Sequence, residues 1–476
     1  MNDTAPTPVD ASSSSTRTLP QKAFQALWRH RMKAYAGIPG PAPSLPLGNA
    51  QDFIGKLPWE VCSQFAERYG GMLLVWFLGT PTLIVTDPEL IWRVLEGDFD
   101  SYYKASPRKQ FLPIITDASE FIANGARWKQ KRETDPARNA TGPRGFEFDA
   151  HAVREALSQK VRAQVEATRG EPLGDVVPVI ARLAFEALSI QAVGRLLEDE
   201  LFDTFQTLVK VGTDRINSPI PLPFTPAGAR ARGHWQARFE RLVREARQSP
   251  GTGRSVLHAT LQVGTALDDA TLATQLGNIF FGGMTSITSG VIHTLYLLTR
   301  HPDVRERVLA EVRGLATREL DPMLEVLESC PEFNRVVLES LRVLPPVPIY
   351  SRCSSPDRQV TLGGHVLPPN TDLLLTCWPL HRSARHWKDP ERFEPDRWKG
   401  NTLAENPLGS GYFFPFGRGR RACAGSALGL LNIKLLLVSL LTASRPEVGA
   451  HQEYKGELFF GTMRPKGMSV RFLPVG

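Results

Sequence analysis

Residues Phe416 to Gly425 read Phe-Gly-Arg-Gly-Arg-Arg-Ala-Cys-Ala-Gly, and an apolar run from Ala427 to Leu441 follows directly. Three glycines around one cysteine describe a tight turn whose backbone can pack closely under a flat ligand. The run behind it has the length and composition of a buried helix. Cys423 therefore precedes a helix N-terminus and sits among arginines, two features that favour a thiolate. Backbone N–H groups left open by the glycines can point at the sulfur and tune a bound metal. A lone cysteine in apolar surroundings is more often a core residue, but the glycine and arginine frame points to a metal-ligating thiolate. A nucleic-acid reading of Gly-Arg-Gly-Arg-Arg is weak, because the run is short and passes straight into apolar sequence.

Through Phe416, Gly419, Arg421, Cys423 and Gly425 the loop resembles the F-x-x-G-x-R-x-C-x-G signature of the cytochrome P450 superfamily. The resemblance extends from about Pro39 onward, and it implies a mainly α fold with a minor β portion. In that fold haem b lies between a long central helix and the cysteine-bearing loop, with Cys423 as the iron ligand. Phe416 and Gly425 are then part of the cofactor pocket.

Three further elements match in order. Glu339-Ser-Leu-Arg342, followed by Pro345-Pro346 and later by Pro390-Glu-Arg-Phe393 and Pro395-Asp-Arg-Trp398, looks like the family's E-x-x-R helix with its locking loop. It implies a buried structural network of Glu339, Arg342 and Arg392. Trp128-Lys-Gln-Lys-Arg132 resembles the family's propionate-binding pair; Trp and Arg at i and i+4 share a helix face. Arg352 and Arg421 resemble the other propionate cations, since buried carboxylates need such partners. Phe281-Gly-Gly-Met-Thr-Ser286 resembles the distal segment A/G-G-x-[DE]-T-[TS], with Gly282, Thr285 and Ser286 as its catalytic members. The acid position holds Met284, which cannot relay a proton.

The resemblance implies a monooxygenase that inserts one oxygen atom of dioxygen into a small organic molecule. The contact segments it implies are 106–122, 219–226, Phe280 and Phe281, 347–349 and 460–463. Because they are mainly apolar, the substrate is expected to be largely apolar. Met284 supports an alternative within the same fold: use of peroxide, or a rearrangement, dehydration or coupling. A non-catalytic haem sensor is a third class, disfavoured because the Gly282-Gly283 pair leaves the distal side open.

The remaining sequence is consistent with this. The chain has 476 residues, five widely spaced cysteines without a C-x-x-C pair, and net charge +7. A disulfide framework or zinc site is improbable on that spacing, and the separated cysteines fit a reducing compartment. Basic residues are spread along the chain, which argues for a solvated surface and against nucleic acid. No flavin or nicotinamide fingerprint follows a strand, and the chain ends soon after the helix behind Cys423. Electrons are expected from a separate ferredoxin or flavodoxin with its reductase, docking near Arg418 and Arg420.

Residues 1–34 read as a Ser/Thr/Pro-rich tail, disordered to partly helical, with an amphipathic stretch near Gln25 to Arg31. Residues 35–476 read as one catalytic domain. Met72–Phe77 and Thr82–Val85 read as a hairpin, and Asp87-Pro88 as a helix start. Helical periodicity dominates from 150 to 345. Between Asp269 and Arg300 no Asp, Glu, Lys or Arg occurs, but Thr271, Thr274, Gln275, Asn278, Gly282, Gly283, Thr285, Ser286, Thr288, Ser289 and Gly290 suit a buried soluble helix better than lipid. The expectation is a cytoplasmic monomer of the soluble bacterial type, with no membrane span.

Overall fold

The computed structural model describes residues 18–104, 114–115, 119–134, 150–168, 171–172, 174–218, 222–248, 254–262, 264–314, 329–400, 411–449 and 452–474. The chain forms two compact units, one of residues 1–105 with 349–379 and one of 106–348 with 380–476.

The first unit is built on a sheet. Helix α1 spans Leu19–Lys33, α2 Pro58–Tyr69 and α3 Pro88–Trp92. The strands are β1 Met72–Phe77, β2 Thr80–Val85, β3 Tyr102–Tyr103, β4 Ile349–Ser354, β5 Val360–Leu362, β6 His365–Leu367 and β7 Asp372–Thr376. Five strands pair in the order β1-β2-β7-β4-β3, with β2 and β7 parallel and the other pairs antiparallel. The expected hairpin is present, with Phe77 opposite Thr80 around Leu78-Gly79. Cys62, Leu73, Val75 and Ile84 pack in its core. Asp87 caps α3 by accepting from Leu90 N at 3.0 Å. Helix α1 begins at Leu19, earlier than the tail reading placed it. Thr18 N donates to Gln21 Oε1 at 2.9 Å and Phe24 is fully buried, which anchors the turn. Residues 1–17 lie outside the described residues.

The second unit is helical. Its helices are α4 Gly125–Glu133, α5 Ala150–Thr168, α6 Val177–Val193, α7 Asp199–Asn217, α8 Pro226–Gln248, α9 Val256–Gln262, α10 Asp269–Arg300, α11 Pro302–Arg313, α12 Pro331–Val343 and α13 Ser426–Ala443. Two strand pairs complete it: β9 Gly456–Phe459 with β10 Thr462–Pro465, and β8 Ser444–Val448 with β11 Val470–Pro474. Helix α10 has 32 residues, about 48 Å of rise, and packs against α6, α8, α12, α13 and β10. Asp268 caps it by accepting from Thr271 N at 2.7 Å. Its apolar run is buried against other protein, as the sequence predicts. Helix α13 is long and apolar enough to cross a membrane by length and composition, but 61% of that window is buried. Its Ile433 Cδ1 would lie 2.6 Å from a Cβ placed on Gly290 of α10, so it is a core helix packed backbone-close.

Candidate functional site

The cysteine loop closes by two backbone bonds. Cys423 N donates to Phe416 O at 2.8 Å, and Ala422 N to Gly419 O at 2.9 Å. Gly417 and Gly419 adopt φ of +71° and +72°, a conformation open to glycine and strained for other residues. The loop delivers Cys423 two residues before Gly425, the residue that precedes α13. Cys423 is exposed, whereas Cys62, Cys330, Cys353 and Cys377 are buried. A Cβ on Gly425 would meet nothing within 4 Å, so there is open space at that glycine.

Two cations meet here, Arg132 reaching the loop from α4 and Arg421 belonging to the loop itself. Arg132, on α4, donates through Nη2 to Ala422 O at 2.7 Å and through Nη1 to Glu120 Oε1 at 3.0 Å. Its Nε is buried and has no hydrogen-bond partner among the described residues. Arg421 lies with its Cζ 4.4 Å from the Trp128 ring centroid, a cation–π contact. Its Nη2 donates to Ala123 O at 3.0 Å and Asn124 Oδ1 at 3.2 Å. Trp128 and Arg132 thus share one face of α4, as the i, i+4 spacing predicts, and meet the loop together.

Arg352 belongs to the first unit, and its part in the cradle stands on the resemblance. It lies on β4 opposite Leu373 and is 5% exposed. Its hydrogen bond goes to Ser351 O, and burial pushes its guanidinium down to about 10, still protonated at neutral pH. Among the described residues no carboxylate pairs with it. An orphaned Arg132 Nε and an accessible thiol on a glycine loop together suit a flat, carboxylate-bearing cofactor held by sulfur.

The support behind the loop is a fully bonded knot. Arg342 and Glu339, both 0% exposed, make two parallel bonds, Nε to Oε2 at 2.9 Å and Nη2 to Oε1 at 2.8 Å. Arg342 also donates to the carbonyls of His381, Pro390 and Arg392. Glu339 also accepts from Glu394 N, Trp398 Nε1 and Arg397 Nε, each at 2.9 Å. One sequence expectation is corrected here. The Arg392 side chain is 70% exposed and lies 3.4 Å from Glu394; Arg392 contributes only its carbonyl. The third member is Arg397, whose guanidinium is 10% exposed. It sits on the short 3-10 turn Pro395–Trp398 that points it back at α12. His381 adjoins the knot, its Nε2 accepting from Phe414 N at 3.3 Å. Burial lowers its pKa to about 3, so it is neutral.

On α10 the register is resolved. Gly282 is exposed and Ser286, four residues on, is half-buried, so these two share the accessible side. Thr285 is 4% exposed and Met284 2%; both turn into the protein. Ser286 Oγ donates to its own helix at Gly282 O and Gly283 O, 3.1 and 3.0 Å. The Phe121 ring lies against the Gly282 backbone. A Cβ on Gly282 would lie 2.6 Å from Phe121 Cζ.

An aromatic wall continues from this point. Phe281 lies 6.0 Å from Phe460, 5.1 Å from Phe205 and 5.5 Å from Trp235 between ring centroids. Phe460, at φ +49° in the β9–β10 turn, rests on Gly212 of α7, where a Cβ would come within 2.4 Å of the ring. Phe205, Gly212 and Trp235 were not singled out by sequence reasoning, because no local pattern marks them. Residues 106–113, 116–118 and 219–221 of the expected contact segments lie outside the described residues.

Comparison with known proteins agrees. The family model described as "Cytochrome P450" matches residues 38–468. Cytochrome P450 3A6 of Oryctolagus cuniculus is 25% identical over 87% of this chain and 86% of its own. Cyclooctat-9-en-7-ol 5-monooxygenase of Streptomyces melanosporofaciens is 28% identical over 53% of this chain and 54% of its own. The crystal structure of the cytochrome P450DA heme domain shares the fold with a TM-score of 0.79, at 21% identity, covering 92% of this chain and 97% of that one. The chain belongs to the cytochrome P450 family, whose members are haem b oxidoreductases of the monooxygenase class.

Proposed function

We propose that this enzyme oxygenates a largely apolar small molecule, using electrons from a separate protein that docks on the basic side of the cysteine loop. The observation that carries the reading is the accessible Cys423 beside Arg132 and Arg421, which meet the loop at neighbouring residues. Haem b, bound through Cys423, supplies the iron centre at which dioxygen is activated. The Cys423 sulfur donates electron density, Arg132 and Arg421 hold the cofactor's carboxylates, and the knot of Glu339, Arg342 and Arg397 keeps the loop in place before loading.

Ser286, with Thr285 behind it, is the hydroxyl that holds and hands on protons on the accessible side. Its Oγ already donates to the Gly282 and Gly283 carbonyls, so its lone pairs are left to accept. Phe121, Phe281 and Phe460 keep water out and orient substrate. The relative named for cyclooctat-9-en-7-ol is in keeping with a ring-bearing apolar substrate. The reading includes a cytoplasmic monomer without a membrane span and one catalytic domain over residues 35–476.

Two measurements test this. Ser286→Ala is expected to lower the share of electrons that reach product about a hundredfold, the low end for a lost proton-transfer group. Thr285→Val is expected to change it less than threefold. The reverse order overturns the assignment. Arg420→Glu is expected to slow reduction by an acidic ferredoxin more at low salt than at high salt. Equal slowing at both removes the docking surface.

A further inference from the structure

Glu120 makes an unusual partner for Arg132. Its Oε1 accepts one bond from Nη1 at 3.0 Å, while its Oε2 is buried without a partner among the described residues. Arg132 keeps a matching deficit, a buried Nε with no acceptor. Arginine and carboxylate commonly form two parallel bonds, and leaving buried polar atoms unmatched is costly. The pair is therefore half-made. Arg132 itself is fixed from the other side by Ala422 O, one residue from Cys423.

We propose that Glu120 is a placeholder carboxylate: it holds Arg132 in the unloaded protein and competes with the cofactor's carboxylate for it on loading. This rests on the reading of Arg132 as a propionate ligand. An incoming carboxylate can take Nε and, with it, the bidentate geometry that Glu120 does not reach. Two carboxylates sharing one guanidinium at this depth would leave a net negative charge poorly solvated, so the arrival of one displaces the other. Glu120 is thus a positioning residue that sets how tightly the cofactor is retained. Its turn is short and closed, with Ala123 N donating to Ser119 O and Phe121 N to Ser119 Oγ, both at 3.2 Å. A change of partner at Glu120 occurs one residue from the Phe121 ring over Gly282.

The test uses the haem-loaded enzyme and excess apomyoglobin as haem acceptor, with transfer followed by absorbance. Thermal unfolding of the unloaded protein is measured alongside. Glu120→Gln is expected to slow haem transfer about tenfold, equivalent to ~1.4 kcal/mol, while lowering the unfolding midpoint of the unloaded protein. A merely structural ion pair would weaken both states. Transfer at the wild-type rate or faster in Glu120→Gln overturns the proposal. Arg132→Gln, with Arg132→Lys as the milder change, is expected to speed transfer. If both arginine variants release haem at the wild-type rate, the propionate reading of Arg132 fails, and the proposal with it.

Discussion

Two of the arginine–carboxylate pairs in the helical unit, Arg342 with Glu339 and Arg132 with Glu120, differ in completeness. Arg342 and Glu339 are wholly buried, doubly bonded to each other, and surrounded by three carbonyls, a backbone amide, an indole and a second arginine. Arg132 and Glu120 share a single bond and each retains an unmatched buried atom. The first pair has no capacity to accept another partner. The second is built to change partners. What separates these two pairs is the count of satisfied donors and acceptors.

The comparison can be broken or sharpened by substitution. The largest effect is expected for Glu339→Gln, which strands the buried Arg342 charge. A loss of about 3–5 kcal/mol in denaturant unfolding is expected, together with failure to retain haem; a loss under ~1 kcal/mol would show the knot to be dispensable. Arg397→Ala removes one charge-assisted partner from Glu339 and is expected to cost about 1.5–3 kcal/mol. Glu120→Gln, acting on a single bond at a partly exposed carboxylate, is expected to destabilise the unloaded protein by about 1 kcal/mol. Arg392→Ala is expected to stay within ~0.5 kcal/mol, since its side chain is exposed and its carbonyl survives. Unfolding curves that rank Arg392→Ala above Arg397→Ala would restore the original sequence assignment.

That assignment shows where sequence reading stops. The cysteine loop and the Glu339–Arg342 pair were legible because their partners lie within one turn of chain, where spacing dictates contact. The hairpin at Leu78-Gly79 and the cap at Asp87 were legible for the same reason. The choice between Arg392 and Arg397 was not, because both follow a proline in similar tetrapeptides. What separates them is how the chain folds back: the 3-10 turn at Pro395 aims Arg397 at α12. Nor could spacing tell Thr285 from Ser286. Adjacent residues on a helix differ by about 100°, and only the placement of neighbouring helices decides which hydroxyl is accessible. The Glu120 contact depends on chain path alone and leaves no pattern in the residues.

The distribution of thiols has a practical side. Four of the five cysteines are buried and one, Cys423, the proposed iron ligand, is accessible. A bulky alkylating reagent applied to the native unloaded protein therefore finds one target, and iron ligation would shield it. The number of labels per chain becomes a gauge of how much of a preparation lacks cofactor, read by mass rather than by colour.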